Sequence, residues 1–306
     1  MENEILIFGH KNPDTDSICS SIVMEDLENK LGNKCKAVRI GKINKETRFV
    51  LDYLGIDDIP YVDKIGDDTQ VILVDHNEAT QSIENIENVK ILKVIDHHTM
   101  NFKAAYQLYY RTEPVGCTAT VLFKLYNENN IKIEKNIAIL CLSSIISDTL
   151  LFKSPTCTQE DIEVAKELVK IANIDMNSYG LEMLKAGTDL DDFSVEELIN
   201  IDRKKFEKGD TSFEIAQVNT VSIEEVLKRE DAIKEVINKE IDEKGLSLFV
   251  LAITDILNSN SEIIALGSKA SIIKAAFGKN LENDKAFLEG VVSRKKQLLP
   301  NIDKNI

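Results

Sequence analysis

The sequence predicts an α/β fold made of two α/β domains, the first of them built on a mainly parallel, doubly wound sheet. Short apolar runs alternate with helix-like segments through the first half of the 306-residue chain, and this alternation is typical of βαβ units. The second half mixes strand and helix patterns, which predicts a smaller C-terminal domain with a mixed sheet. A polar, acidic stretch with a glycine separates the halves, and we interpret it as a linker.

The first domain should contain four strands and four main helices. Short apolar runs predict buried strands at residues 5–9, 35–40, 71–75 and 89–96. Helical patterns cover residues 17–30, 118–127, 136–150 and 159–171. The helix that starts at Thr118 follows Gly116 and Cys117, so its free backbone N–H groups could receive an anion or could simply be capped.

The second domain repeats the mixed style. We predict a helix over residues 195–206, a strand over 213–221 and a helix over 223–240, followed by strands at 246–255 and 262–266 and a helix at 270–277. The expected division is therefore a metal-binding domain at 1–187, a hinge linker at 188–193 and a substrate-binding domain at 194–306. A cleft between domains is a common place for a small-ligand site.

Composition excludes several classes of protein. With a net charge of −15, the chain lacks the positively charged surface typical of a nucleic-acid-binding protein. It also contains no tryptophan that could stack on bases. No apolar run approaches the length that crosses a bilayer, and no signal pattern precedes the first strand. The five cysteines form no C-x-x-C pair, so neither a disulfide framework nor a thiolate zinc site is expected. A reducing cytoplasm is the predicted compartment.

The first strand ends in a group of residues that can bind metals. The apolar run ILIFG leads directly into His10, Asp14 and Asp16, with Pro13 between them. Ligands bind at the carboxyl ends of the strands in open parallel sheets. Two carboxylates placed there repel each other unless a cation or a proton separates them. The segment therefore predicts half of a metal site.

Other predicted strand and helix ends supply further candidate ligands. Asp75 closes the third strand, Asp96, His97 and His98 close the fourth, and Asp148 lies near the end of an apolar helix. Each has an ordinary alternative: a lone aspartate often caps a turn, Asp148 could pair with a core hydroxyl, and adjacent histidines could be a surface pair. However, all four histidines of the chain stand at predicted strand ends on one edge of the sheet, and this favours the metal site.

The candidate ligands also indicate which metal is bound. Carboxylate oxygens and imidazole nitrogens without a thiolate favour harder divalent ions over structural zinc. Mg²⁺ prefers oxygen ligands and keeps its waters, so Mn²⁺, or Co²⁺ in vitro, fits the mixed set best. The six or seven candidates exceed what one ion needs. Two ions that share a bridging carboxylate would use them all, and such pairs catalyse phosphoryl transfer.

Two basic groups stand out in this acidic chain. Arg294, Lys295 and Lys296 follow one another near the C-terminus, and Arg203, Lys204 and Lys205 are predicted to lie on the first helix of the second domain. Either group could be a solvated surface. Alternatively, an arginine offers a planar fork for phosphate oxygens and a lysine offers a point charge.

Four motifs together resemble the family II, manganese-dependent inorganic pyrophosphatases of the DHH phosphoesterase superfamily. They are G-H-K-N-P-D-T-D-S at 9–17, V-D-H-N-E at 74–78, D-H-H at 96–98 and S-R-K-K-Q at 293–297. The motifs occur in the family's order and span nearly the whole chain. D-H-H recurs across the superfamily, whereas S-R-K-K-Q points to the pyrophosphatase branch.

The resemblance implies a role for each matching residue. One Mn²⁺ would be held by His10, Asp14, Asp75 and Asp148. The other would be held by Asp16, Asp75, His97 and Asp148, so that Asp75 and Asp148 bridge. His98 would face the substrate and stabilise or protonate the leaving phosphate. Catalytic and substrate-binding cations would be Lys204, Arg294 and Lys295.

The resemblance also implies the reaction and the partners. Pyrophosphate would be hydrolysed to two phosphates by a metal-bridging hydroxide at a dinuclear site between the two domains, with Mg²⁺ arriving with the substrate. The protein would be a homodimer through its N-terminal domain and would bind neither nucleic acid nor membrane. One rival is a DHH phosphoesterase acting on nucleotides or polyphosphate, although the G-G-G-H segment of nucleotide-acting relatives is absent. The other rival is a non-catalytic metal or phosphate sensor.

Overall fold

The computed structural model describes residues 4–209 and 211–306. The chain divides into two units, Met1–Gly187 and Thr188–Ile306, and each contains its own five-stranded sheet. The predicted α/β class is confirmed. The hinge at 188–193 and the separate roles of the two domains stay predictions.

The sheet of the first unit is entirely parallel. Its strands are β1 (Ile5–Phe8), β2 (Cys35–Ala37), β3 (Gln70–Val74), β4 (Lys90–Asp96) and β5 (Tyr109–Thr112). They lie in the order β2-β1-β3-β4-β5, which confirms the predicted parallel sheet. This order belongs to doubly wound sheets whose direction of winding reverses between β1 and β3, and ligands bind at that reversal.

Six helices belong to the first unit, together with two short 3₁₀ turns at Ala79–Gln81 and Ile86–Asn88. The helices are α1 (Thr15–Lys30), α2 (Lys45–Leu54), α3 (Thr118–Glu128), α4 (Lys135–Thr149), α5 (Gln159–Ala172) and α6 (Met176–Gly187). Sequence analysis found four of them and missed α2 and α6. It also missed β5, since the sequence YYRT carries no apolar run.

Helices α1 and α4 pack against each other in the core of the first unit. Helix α4 is buried continuously from Ile137 to Ile146, as expected of a helix that is apolar on all sides. The first turn of α1 is also buried, although it contains Asp16. The packing of these two helices therefore brings the start of α1 and the end of α4 into the interior with their carboxylates.

The sheet of the second unit is mixed, as predicted. Its strands are β6 (Lys204–Lys208), β7 (Thr211–Thr220), β8 (Leu248–Asp255), β9 (Asn260–Leu266) and β10 (Lys285–Glu289), in the order β10-β9-β8-β7-β6. Only β7 and β8 run parallel, and the other neighbours are antiparallel. The helices are α7 (Val195–Leu198), α8 (Ile223–Leu227), α9 (Glu230–Lys244), α10 (Ile272–Phe277) and α11 (Leu299–Asn305), with a π-helical turn at Arg294–Leu298.

The predicted helix over residues 195–206 is wrong. Ser194 and Glu197 form a capping box that starts α7, but the helix ends at Leu198 and Asp202 has a positive φ of 43°, which a right-handed helix does not contain. Residues from Lys204 onward pair with β7 instead. Lys204 therefore lies on a strand. The predicted helix over 223–240 is likewise two helices, α8 and α9.

Two global features bear on the predicted compartment. Within the described residues, no helix has the length and apolar character needed to cross a membrane. All five cysteines are free thiols, four of them buried. The cytoplasmic location stays a prediction.

Candidate metal centre

The loop between β1 and α1 is held in place on both sides. A Cβ on Gly9 would lie 1.8 Å from Ser17 Oγ, so only glycine lets the strand end lie this close to the helix. Asp14 caps α1, because its Oδ1 accepts a hydrogen bond from Ser17 N at 3.0 Å. A Cβ on Gly41 would lie 2.3 Å from Pro13 Cδ, so the other side of the loop is equally close-packed. The tight packing fixes the position of His10 and Asp14.

The first group of possible ligands lies at the reversal point between β1 and β3. His10 Nε2 lies 3.6 Å from Asp14 Oδ2 and 3.4 Å from Asp75 Oδ2. Asp75 directly follows β3, adopts a left-handed backbone with φ 58°, and its side chain is only 1% exposed. Its Oδ2 is buried and accepts no hydrogen bond from the described residues. A buried carboxylate oxygen that accepts no hydrogen bond is stabilised by a nearby cation, here the protonated imidazole of His10 or a metal ion.

A second group shares Asp75 with the first. The group contains Asp16, Asp75, His97 and Asp148, whose ligand atoms lie within 4.8 Å of one another. His97 Nε2 is 3.4 Å from Asp75 Oδ1 and 3.6 Å from Asp148 Oδ2. The other ring nitrogen of His97 lies 3.1 Å from the carbonyl oxygen of Val115. Because a carbonyl only accepts, Nδ1 donates and leaves Nε2 directed at the carboxylates, the usual arrangement of a metal-binding histidine.

Asp16 is fully buried and is held by two donors that sequence analysis missed. Ser20 Oγ donates to Oδ1 at 2.6 Å, and the backbone N of Thr118 donates to Oδ2 at 2.7 Å. The hydroxyl of Thr118 also donates to Asp75 Oδ1 at 3.1 Å. The N–H group at the start of α3 therefore does receive an anion, and that anion is the carboxylate of Asp16. The local signals for these bonds were the Asp16–Ser20 spacing of one helical turn and the free N–H groups expected at the start of the helix at Thr118.

Like charges crowd this site and shift its pKa values. Burial, together with the charge of Asp75, raises the pKa of Asp16 to about 7. Burial and the charges of Asp16 and Asp75 raise the pKa of Asp148 well above its usual range. Burial alone would also raise the pKa of Asp75, but His10 and His97 hold it below its usual value. Without a cation the carboxylates cannot all be ionised together.

The same carboxylates raise the pKa values of two histidines. Burial alone would lower the pKa of His10, but the nearby carboxylates of Asp14 and Asp75 raise it to about 10. Burial would also lower the pKa of His97, and Asp75 raises it to about 9. Protons on these histidines thus offset the negative charge of the carboxylates, and bound divalent cations would offset the same charge.

His98 is oriented by a buried carboxylate. Asp96 Oδ1 accepts hydrogen bonds from His97 N at 2.8 Å, from His98 N at 3.1 Å and from His98 Nδ1 at 2.9 Å. Asp96 Oδ2 accepts a fourth from Asn77 Nδ2 at 2.6 Å. The imidazole of His98 is 53% exposed and lines a cavity of about 330 Å³ together with His10 and Asp75. The free Nε2 of His98 can therefore meet a ligand at the carboxylates.

His76 is the histidine that the structure places outside these groups. It is buried, its Nδ1 donates to the carbonyl oxygen of Val74 at 2.9 Å, and its Nε2 accepts from Ser82 Oγ at 3.2 Å. Burial lowers its pKa. Among the described residues, the groups that could hold a metal draw instead on His10, His97 and His98.

The basic residues of the second unit differ sharply in their surroundings. Arg203 is only 8% exposed, pairs with Glu214 and Glu240 and lies over the ring of Phe249. Arg203 is therefore a core residue. Lys205 pairs with Glu207 at 2.8 Å.

Lys204, Arg294 and Lys295 remain as candidates for binding an anion. Lys204 and Lys295 are exposed. Arg294 donates from Nε and Nη2 to the two oxygens of Asp202 at 3.1 and 2.8 Å. Its backbone N donates to Gln217 Oε1 at 2.8 Å, which anchors the start of the π-helical turn.

Both halves of the chain match known protein families. Residues 4–145 match the family described as "DHH family, N-terminal domain" and residues 181–305 match the "DHHA2 domain". A "Manganese-dependent inorganic pyrophosphatase" of Bacillus subtilis is 56% identical over 97% of both chains, as is a "Probable manganese-dependent inorganic pyrophosphatase" of Bacillus velezensis. A solved structure from Methanococcus jannaschii, described as a "putative family II inorganic pyrophosphatase", aligns over 99% of both chains with a TM-score of 0.62 and 38% identity.

Proposed function

The chain belongs to the family of manganese-dependent inorganic pyrophosphatases, and we propose that it hydrolyses pyrophosphate to two phosphates at a dinuclear manganese site. Its relatives share 50–56% identity over nearly the whole chain. The observation that carries the proposal is that every group of described residues able to hold a metal includes the buried Asp75. One carboxylate common to several ligand sets is what a pair of bridged ions requires.

The residues fit manganese. The donors are carboxylate oxygens and imidazole nitrogens, which suit harder divalent ions. We propose that His10, Asp14, Asp75 and Asp148 would hold one Mn²⁺, and that Asp16, Asp75, His97 and Asp148 would hold the other. Co²⁺ would substitute, and Mg²⁺ would enter with the substrate. When bound, such a pair of ions would lower the pKa of a bridging water and supply hydroxide near neutral pH.

His98 is proposed to act on the leaving phosphate. Its Nδ1 is tied to Asp96, so the exposed Nε2 can donate a hydrogen bond or a proton to a phosphate oxygen. The bond with Asp96 is also the main cause that raises the pKa of His98. The same carboxylate therefore fixes the ring and favours its proton-bearing form.

We also propose that Lys204, Arg294 and Lys295 bind the phosphate groups of the substrate. Arg294 donates two hydrogen bonds to the carboxylate of Asp202, and a guanidinium binds two phosphate oxygens with the same bidentate geometry. The two lysines are exposed and would add positive charge to stabilise the developing negative charge of the reaction.

The predicted homodimer belongs to the same proposal. Strand β5 lies at the edge of the first sheet, and its Tyr109 is 45% exposed. An edge strand with an exposed aromatic side chain is a ready template for pairing with a second chain. Sedimentation of the metal-loaded protein should give the mass of a dimer, and a monomer at micromolar concentration would contradict this part.

A substrate comparison tests the proposal. With Mn²⁺ present, phosphate release from pyrophosphate should exceed release from tripolyphosphate and cleavage of a dinucleotide. Faster cleavage of the dinucleotide would favour a nucleotide phosphoesterase instead. The absence of turnover with every substrate, despite tight Mn²⁺ binding, would favour the sensor.

A further inference from the structure

Glu46 joins two of the segments that carry the candidate ligands. It stands in the first turn of α2, and its Oε1 accepts hydrogen bonds from Thr15 Oγ1 at 2.6 Å and from Ser147 Oγ at 2.5 Å. Thr15 stands between Asp14 and Asp16, and Ser147 directly precedes Asp148. One oxygen atom thus holds the start of α1 to the end of α4, across 31 and 101 residues of sequence.

Simpler roles for this carboxylate are already filled. Helix α2 is capped by Asn44, whose side chain accepts from Thr47 N at 2.7 Å, so Glu46 is not needed as a cap. Glu46 is also absent from the groups of described residues that could hold a metal. Its two hydroxyl partners are each next to a candidate ligand, so the contact is one step removed from the metal site.

Helix α6 covers the other side of Glu46. A Cβ added to Gly187 would lie 2.8 Å from Glu46 Oε2 and 2.9 Å from Glu46 Cβ. Helices α2 and α6 are packed together by aromatic rings, with the Tyr53 and Tyr179 centroids 4.9 Å apart. The close packing at Gly187 therefore leaves no room for Glu46 to move away from its hydroxyl partners on this side.

We propose that Glu46 is a positioning residue for the dinuclear site, which aligns Asp14 and Asp16 on α1 with Asp148 on α4 without binding metal itself. This inference rests on the proposed function. Ligands that bridge two ions must sit within a few tenths of an ångström of their places, and partners behind the ligands supply that precision. Packing of two helices alone allows small sliding, whereas a shared acceptor ties Thr15 to Ser147.

The test compares Mn²⁺ binding to metal-free protein in variants that change only this junction. Free Mn²⁺ is measured by its electron paramagnetic resonance signal, and thermal unfolding is followed with and without Mn²⁺. Glu46→Ala should weaken Mn²⁺ binding by about 10–100-fold, the usual effect of losing a partner behind a ligand. Glu46→Gln should restore most of the affinity, because its amide oxygen can still accept both hydrogen bonds.

Gly187→Ala changes the packing on the other side of Glu46. Gly187 is the last residue of α6 and does not have a left-handed backbone, so the backbone itself accepts alanine. We expect weaker Mn²⁺ binding because the new methyl group displaces Glu46. The matched control is Ser143→Ala, one turn before Ser147 on α4, whose hydroxyl contacts Tyr179 instead. Its Mn²⁺ affinity should match that of the wild type.

The outcomes separate positioning from a general structural role. A positioning role predicts that Glu46→Ala reduces the Mn²⁺-induced rise in melting temperature. A lower melting temperature of the metal-free protein with unchanged Mn²⁺ affinity would overturn the inference, and so would equal losses in Glu46→Gln and Glu46→Ala. If Glu46→Ala does not fold, Thr15→Val and Ser147→Ala each remove one of the two hydroxyls that donate to Glu46 and should each weaken binding. Wild-type protein that binds no Mn²⁺ would overturn the proposed function as well.

Discussion

Replacing Asp96 by asparagine tests how the chain orients His98. The carboxylate is buried and receives four hydrogen bonds, from His97 N, His98 N, His98 Nδ1 and Asn77 Nδ2. Every partner is a donor. An asparagine has one accepting oxygen and one donating NH₂ group, so Asp96→Asn keeps the shape of the side chain and puts a donor where the structure needs an acceptor.

The structure sets the size of the effect. If the new NH₂ takes the place of Oδ2, it faces Asn77 Nδ2, which now lies 2.6 Å from that oxygen. If it takes the place of Oδ1, it faces two backbone N–H groups. Asn77 cannot turn over without losing its own bonds with Thr99 and Asn101. One buried unmade hydrogen bond costs about 1–3 kcal/mol, and we expect the free energy of unfolding to fall by that amount.

Turnover should fall as well. His98 loses the negative charge that favours its protonated form, and general acid catalysis contributes about 10²–10⁴-fold to a rate. The assay is kcat with Mn²⁺ and saturating pyrophosphate, together with urea unfolding. Asp58→Asn is the control, since it removes the same charge from an exposed pair with Arg39 and should cost less than about 1 kcal/mol without loss of turnover. Wild-type kcat in Asp96→Asn would refute the role given to His98.

Three further predictions concern other parts of the chain. Gly41→Ala should weaken Mn²⁺ binding about 10-fold or more, because the Cβ of the new alanine would lie 2.2 Å from the carbonyl oxygen of Lys11 in the β1–α1 loop. Unchanged affinity in a Mn²⁺ titration would contradict the close packing of that loop. Arg294→Lys should raise KM for pyrophosphate about 10-fold, because a point charge replaces a two-nitrogen fork, and an unchanged KM would remove Arg294 from the substrate site. Burial alone would raise the pKa of Glu230, but Lys234 and Lys285 lower it. These ion pairs therefore add stability above the unfolded pKa of about 4.3, and the stability is lost as pH falls through the lower pKa of the folded state. Lys285→Met should flatten that acid-side loss in urea unfolding, and an unchanged slope would contradict it.

Much of the fold follows from local sequence, and the errors have physical causes. Strands β1, β3 and β4 are largely buried and therefore mostly apolar. A run of apolar residues can be recognised in the sequence without knowing any tertiary contact. Strand β5 is a short, partly exposed edge strand. Strand β6 reads K-K-F-E-K and is held mainly by pairing with β7. Both depend on a neighbour that is distant in sequence, so their own residues gave too little signal.

The candidate site divides in the same way. The sequence predicted that His10, Asp75 and His97 would meet, since the carboxyl ends of parallel strands share one edge of the sheet. The structure places His10 and His97 each 3.4 Å from a carboxylate oxygen of Asp75. Their role as metal ligands stays a prediction. Thr118 and Glu46 were not foreseen, because hydrogen bonds of this kind depend on which helix faces oppose each other, and local patterns do not contain that information.

The most direct test of the central claim is the number of Mn²⁺ ions bound by the metal-free wild type and by Asp75→Ala, measured together with pyrophosphate hydrolysis. We predict two ions per wild-type chain, with hydrolysis appearing as the sites fill. Asp75 belongs to every group that could hold a metal among the described residues, so Asp75→Ala should lose both tight sites and its turnover while circular dichroism shows a folded protein. Two tightly bound ions and unchanged turnover in Asp75→Ala would contradict the dinuclear site.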